Sequence, residues 1–191
     1  MSTRVNAAVA GTLPERIIEL GGVPADRVLR DPLPGKATFE DLLKVNESGG
    51  CYELVDGTLV EKAMGWQESL IALALGSLLR NFVNSRNLGM VTGPDGFTRI
   101  LGSLVRGPDV AFYSWTRLPN QRLPEEQVPE CVPDLAVEVL SLGNTLAEMS
   151  RKRREYFHAG VRLVWMVDPR QRTVAVYSSI TEFVILDASQ S

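Results

Sequence analysis

The sequence predicts an α/β (mixed α+β) domain: a mixed β-sheet flanked by helices, with a β-hairpin on its N-terminal side. Three observations carry this. Residues 51–55 and 58–62 are β-prone runs separated by Asp56-Gly57, the dipeptide that supplies the positive backbone angles of a type I′ hairpin turn. Between residues 66 and 84 apolar side chains, among them Ile71, Leu75, Leu78, Leu79 and Phe82, recur at spacings of three and four, as on a helix packed against a sheet. The run Leu135-Ala136-Val137-Glu138-Val139-Leu140 is apolar on both faces, as a central strand is, with Glu138 the exception inside it.

The remaining elements follow in chain order. Residues 1–36 are rich in Pro and Gly and read as an arm with one short helix over 14–20 that stops at Gly21-Gly22. Residues 37–191 read as a single domain. Thr38 with Asp41 forms a shortened capping box that opens a helix to about Asn46, closed by Gly49-Gly50. The hairpin and the long helix come next, the helix ending near Asn87-Leu88-Gly89. Residues 90–93 and 97–101 read as short strands around Pro94-Asp95-Gly96, and 108–113 as a third. A polar, proline-bearing loop leads to the central strand. Asn144 or Thr145 caps a helix that Gly160 closes, and residues 161–167, 173–177 and 183–186 give three further strands, the last at an edge. This order fits neither a Rossmann nor a barrel pattern, and no Gly-rich phosphate loop follows a strand.

Composition narrows the function classes. In 191 residues the hydrophobic share is 45% and the charged share 23%, enough for one well-buried core. The net charge of −3 argues against a protein that coats nucleic acid with its whole surface, while leaving room for a local basic groove. Cys51 and Cys131 lack metal-ligand spacing and read as small core residues in a reducing compartment. Residues 1–11 lack the apolar stretch of a secretory signal and no segment is apolar enough to span a bilayer, so a cytoplasmic location without membrane partners is expected. The single histidine, His158, reads as a surface residue at a helix end. Trp66, Trp115 and Trp165 read as packing residues rather than base-stacking platforms.

The chemistry gathers on three acids: Glu53 beside the hairpin turn, Asp109 in Gly107-Pro108-Asp109-Val110, and Glu138. The last two stand in apolar, β-prone runs, where an unpaired charge costs several kcal/mol, so each requires a cation, a proton or a hydrogen-bonded partner. If their strands are neighbours, both carboxylates converge at one sheet end with the carbonyl of Val139 beside them. That oxygen-rich, histidine-free shell favours Mg²⁺ or Mn²⁺ over Zn²⁺. Simpler readings stand beside this one: Glu53 as a solvent-facing strand residue, Asp109 as a turn acid, Glu138 held by a buried arginine such as Arg106 or Arg99, and Asp134 and Asp168 as strand-end or turn acids. Lys152 and Tyr156, four residues apart, share one face of the following helix. Of Arg151-Lys152-Arg153-Arg154, no more than about two side chains can aim at one site.

In order along the chain, Tyr52-Glu53-Leu54-Val55-Asp56-Gly57, Arg106-Gly107-Pro108-Asp109-Val110-Ala111-Phe112, Pro133-Asp134-Leu135-Ala136-Val137-Glu138-Val139-Leu140-Ser141, Lys152, Tyr156, Gly160-Val161 and Val164-Trp165-Met166-Val167-Asp168-Pro169 resemble the Uma-two family of restriction-endonuclease-like proteins. That family is similar to the PD-(D/E)XK nuclease superfamily. The resemblance spans about residues 39–177. It implies a restriction-endonuclease-like core, with Asp109 and Glu138 as metal-binding acids, Glu53 as a third acid binding metal directly or through water, and Lys152 orienting water or stabilising developing negative charge. Two departures stand out. The superfamily's lysine two residues after the glutamate is Leu140 here, so its role moves to Lys152. Many relatives open the long helix with a histidine where this chain has Glu68, which is either an accessory site acid or a first-turn acid.

The resulting expectation is a Mg²⁺- or Mn²⁺-dependent endonuclease hydrolysing DNA phosphodiester bonds through Asp109, Glu138, Lys152 and Glu53. Two alternatives are a nuclease-fold module that binds nucleic acid or protein with weak or absent catalysis, and a phosphohydrolase for smaller phosphate esters. A homodimer suits a nuclease that cuts two strands.

Overall fold

The computed structural model describes residues 12–189; the expectation for residues 1–11 lies outside them. Four helices, α1 (Leu13–Glu19), α2 (Phe39–Glu47), α3 (Trp66–Ser85) and α4 (Leu146–Ala159), accompany ten strands. These are β1 (Tyr52–Val55), β2 (Thr58–Glu61), β3 (Gly89–Thr92), β4 (Thr98–Leu101), β5 (Leu104–Arg106), β6 (Val110–Ser114), β7 (Leu135–Val139), β8 (Leu163–Asp168), β9 (Thr173–Tyr177) and β10 (Phe183–Asp187). Every helix and strand expected within residues 12–189 is present to within a few residues; β5 is additional.

The strands form two sheets rather than one. The smaller is antiparallel in the order β2-β1-β5-β4. The larger runs β10-β9-β8-β7-β6-β3 and is antiparallel except for the β7–β8 pair, which α4 connects. The expected pair of strands around Pro94-Asp95-Gly96 is thus divided: β3 joins the large sheet and β4 the small one. β7 is central and buried along its whole length, as its two apolar faces require.

Local chemistry explains the elements that hold the site. Asp56 and Gly57 take φ values of 47° and 67°, and the register Val55↔Thr58 closes a two-residue turn between β1 and β2. One hairpin face packs Leu54 and Leu59 under Leu42 of α2. The other packs Val55 and Val60 against Leu20, Val23 and Val28 of the N-terminal segment, so residues 20–28 form part of a core layer. Each of these buried aliphatic side chains contributes roughly 1.5–3 kcal/mol. The Thr38 capping box opens α2 and a second box, Thr145 with Glu148, opens α4; Gly160, at φ 96°, closes α4.

α3 and α4 lie on opposite faces of the large sheet. Ile71, Leu75 and Leu79 of α3 pack on Val110, Val137 and Val139. Met149 and Tyr156 of α4 pack on Ala136, Val164 and Met166. Among the described residues no helix is long and apolar enough to cross a membrane.

Candidate active site

The two sheets meet where β5 passes through Gly107-Pro108 into β6, and there the chain buries six charged side chains. Glu53 arrives on β1, Lys62 just past β2, Arg106 at the end of β5, Asp109 just before β6, Glu138 on β7 and Lys152 on α4. Three carboxylates therefore face three cations in a setting where unpaired charge is costly and pairing is strong. Gly107 is required at the crossing because a Cβ there would stand 2.8 Å from the Phe97 ring.

Asp109, one residue before β6, and Glu138 on β7 are brought alongside each other by the β6–β7 pairing. The Asp109 N–H donates to the carbonyl of Val137 (3.0 Å), and the Val139 N–H donates to Asp109 Oδ2 (2.8 Å), fixing that carboxylate beside the Val139 peptide. Asp109 Oδ1 is 3.1 Å from Lys62 Nζ, which also donates to the carbonyl of Pro94. Glu138 is 3% exposed. Its Oε1 accepts a 2.5 Å hydrogen bond from the Tyr156 hydroxyl, and Lys152 Nζ donates to both of its oxygens at 3.2–3.3 Å.

Glu53 is the most fully engaged acid. Arg106 Nη1 meets its Oε2 at 2.6 Å, while its Oε1 accepts from the Gly107 N–H (3.1 Å) and lies 3.1 Å from Lys152 Nζ. It is buried rather than solvent-facing, and Arg106 belongs to it and to Glu155, not to Glu138. Arg99, the other arginine weighed for Glu138, lies over the Phe39 ring instead.

The cluster sets its own protonation. Burial alone would push Glu53 up, but Lys152, Arg106, Lys62 and the Gly107 N–H outweigh it and hold the carboxyl at about 2. Glu138 moves the other way: burial raises it, and Asp109 and Glu53 add to this against Lys152 and Lys62. Burial works against the charge on Lys152, yet Glu138 and Glu53 carry its pKa above the ordinary lysine value, so the ammonium persists. Burial together with Glu138 and Glu53 lifts Tyr156 well above the ordinary phenol, which keeps its O–H available as a donor.

Other expected residues fall outside this cluster. Glu68 is a first-turn acid of α3 whose carboxylate folds over Gly65, and it makes no hydrogen bond or ion pair with the buried set. Trp66 was expected to pack and is 83% exposed at the start of α3; the helical spacing places it away from the sheet. His158 is exposed, and Asp168 accepts from the N–H groups of Arg170 and Gln171 as a turn acid does. Asp134 anchors Arg117 and the Ser114 N–H at the opposite end of β7. Cys51 is half-buried and Cys131 buried, both unbridged. Of the basic run on α4, only Lys152 enters the cluster: Arg151 meets Asp56 and Glu155, and Arg153 lies over the Tyr177 ring.

Lys62 was missed by sequence reasoning, although a signal for it existed. Val60 lies directly across from Glu53, so alternation along the strand puts Thr58, Val60 and Lys62 on the Glu53 face.

The oxygen donors of Asp109 and Glu138, with the carbonyl of Val139, are chemically suited to a hard divalent ion, and each carboxylate retains lone pairs beyond those engaged. Among the described residues no group of three or more His, Cys, Asp or Glu is arranged as a ready ion cage; the acids are set against cations instead. A groove of about 360 Å³, lined by Ser69, Gly76, Arg80, Thr92, Pro94 and Val110, begins at the neighbours of Asp109 and of the Lys62 contact.

A hairpin sheet joined to a mixed sheet over a buried acid and lysine cluster is a nuclease-like architecture. The chain is similar to a solved structure described as a "putative nuclease belonging to DUF820 from Anabaena variabilis ATCC 29413", with a TM-score of 0.66 and 22% identity, covering 78% of this chain and 84% of that one. At that identity the likeness establishes the fold. The model of the Uma2 family, "Putative restriction endonuclease", matches residues 37–187, and the chain belongs to that family. No protein of curated function matches the sequence.

Proposed function

We propose that this protein is a divalent-metal-dependent nuclease of the PD-(D/E)XK kind that hydrolyses phosphodiester bonds of DNA. One observation carries the reading: Asp109 and Glu138 meet at one end of neighbouring strands, with Lys152 Nζ 3.2 Å from Glu138 and the Val139 peptide tied to Asp109. Asp109, Glu138 and the carbonyl of Val139 would hold Mg²⁺ or Mn²⁺, with Glu53 reaching it through water. When bound, such an ion neutralises charge on the phosphate and lowers the pKa of a water molecule.

The chain's own groups have separate tasks. Lys152 carries a permanent positive charge to the place where phosphate oxygens gain negative charge. Glu53, gripped by Arg106 and the Gly107 N–H, orients that ammonium. Tyr156 fixes the Glu138 carboxylate. Lys62 neutralises Asp109 and would have to release Oδ1 for an ion to enter. Arg80, in the groove leading from Pro94 and Val110, is placed to meet a phosphate of the strand. A symmetric pair of chains would supply one such site for each strand.

The test is nicking of supercoiled DNA in Mg²⁺ and in Mn²⁺, with a small phosphodiester as a second substrate. Asp109→Asn should lower the rate at least ~100-fold while circular dichroism shows the fold retained. Full activity in that variant would reject the assignment, and activity on the small ester alone would move the substrate class.

A second reading follows from the complete pairing of acids with internal cations. On it the cluster is a structural clamp in a nucleic-acid- or protein-binding module. Calorimetry separates the two: stoichiometric Mn²⁺ binding lost in Asp109→Asn favours the nuclease, and no binding favours the module.

A further inference from the structure

Charged side chains alternate in sign from the surface of the hairpin to the centre of the buried cluster. Asp56, exposed in the β1–β2 turn, meets Arg151 of α4; Arg151 meets Glu155, Glu155 meets Arg106, and Arg106 meets Glu53. Glu53 in turn meets Lys152, which reaches Glu138. The Glu155 carboxylate makes no hydrogen bond or ion pair with Glu138 or Lys152, yet it holds the arginine that grips Glu53.

Glu155 divides its two oxygens between two guanidinium groups. Oε1 accepts from Arg151 Nε at 2.7 Å. Oε2 accepts from Arg106 Nε at 2.9 Å and also from Arg106 Nη2, so it takes one edge of that guanidinium and leaves Nη1 for Glu53 Oε2 at 2.6 Å. Glu53 Oε1 therefore remains for the Gly107 N–H and for Lys152 Nζ, each at 3.1 Å. Arg151 is itself fixed: Nη1 donates to the carbonyl of Glu19 and Nη2 to Asp56 Oδ2, both at 2.5 Å. The position of Glu155 is thus set by the hairpin turn and the N-terminal segment together.

An arginine presents a planar fork that matches both oxygens of one carboxylate. With the Glu155 charge gone, Arg106 is free to turn both Nη groups onto Glu53 and to draw Oε1 away from Lys152. The ammonium is then left to Glu138 alone, where it occupies oxygens that an ion needs.

We propose that Glu155 is a positioning residue that, by claiming one edge of Arg106, keeps an oxygen of Glu53 on Lys152. The effect on rate rests on the nuclease reading above, whereas the effect on Lys152 does not.

Nuclear magnetic resonance of the lysine ammonium groups tests the position directly. Of the chain's four lysines only Lys62 and Lys152 are buried, so their ammonium protons, shielded from water, should give two resolved signals, assigned by correlation along each side chain. Glu155→Gln keeps the shape and removes the charge. The Lys152 signal should shift and exchange faster with water, while that of Lys62, held by Asp109 and the carbonyl of Pro94, stays in place. Arg151→Gln, at the outer link, is the milder second variant and should move the Lys152 signal the same way by less. In DNA nicking, Glu155→Gln should lower kcat about 10–100-fold with KM unchanged. Glu148→Gln breaks a different buried ion pair on the same helix, with Arg27, and should leave the Lys152 signal where it is. A Lys152 signal unchanged in Glu155→Gln, or displaced equally by Glu148→Gln, would overturn the proposal, as would a loss of rate that lies wholly in KM. Absence of nicking in the wild type would reject the nuclease reading, and the Lys152 signal would still decide the role of Glu155.

Discussion

Lys62 is the residue whose role most separates an ion site from a structural clamp. It stands 3.1 Å from Asp109 Oδ1, where an entering cation would compete with it. Lys62→Met should leave Asp109 as a buried carboxylate without its countercharge, costing about 3–5 kcal/mol without divalent ions. Adding Mn²⁺ should restore most of that stability, read as a rise in melting temperature larger than in the wild type. A variant whose stability ignores Mn²⁺ would mean that no ion takes the vacated place. Glu53 gives a prediction in pH. Its carboxyl is held at about 2, below the ordinary 4.5, so between those values the unfolded chain binds the extra proton. The stability it contributes is complete above about pH 4.5 and is lost as pH falls toward 2, on the order of 3 kcal/mol across the window. Urea unfolding of Glu53→Gln should show a shallower acid slope than the wild type; identical slopes would contradict the assignment. The acids themselves were legible because carboxylates inside apolar runs demand partners. Their actual partners were less so: Arg106 was weighed for Glu138 and serves Glu53, and Lys62 emerges only when the hairpin register is followed one step past the strand.

Among the elements, the turn between the two sheets is the most exacting. Arg106, Gly107, Pro108 and Asp109 carry β5 into β6 within four residues, so one short segment sets both an arginine of the small sheet and an acid of the large one. Gly107→Ala would drive a methyl group to 2.8 Å from the Phe97 ring and displace the N–H that Glu53 accepts. A loss of about 1–3 kcal/mol is expected, with Mn²⁺ affinity reduced alongside it. Unchanged stability would show that the crossing tolerates a side chain. Elements with strong local signals were readable in advance: the Asp56-Gly57 hairpin, the Thr38 capping box and the Gly160 stop on α4 each rest on chemistry within a few residues. The split into two sheets was not readable. β3 and β4 flank one turn yet pair with β6 and β5, and such pairings are decided by packing between distant segments rather than by local pattern. Trp66 failed for a related reason. Periodicity places a side chain on a helix face but does not say whether anything covers that face.

At the scale of the whole molecule, the buried cluster joins what would otherwise be separable layers: the hairpin through Glu53 and Lys62, the sheet crossing through Arg106 and Asp109, the central strand through Glu138, and the crossover helix through Lys152 and Tyr156. By family the chain is a member of Uma2, and its fold is nuclease-like. The central claim is that Asp109 and Glu138 hold a hard dication together. Anomalous diffraction from a crystal soaked in Mn²⁺ tests it most directly. One peak is expected between the carboxylates of Asp109 and Glu138 and beside the carbonyl of Val139, with Lys62 moved off Asp109 Oδ1. A soaked crystal with no peak there, and with Lys62 still bound to Asp109, would contradict it.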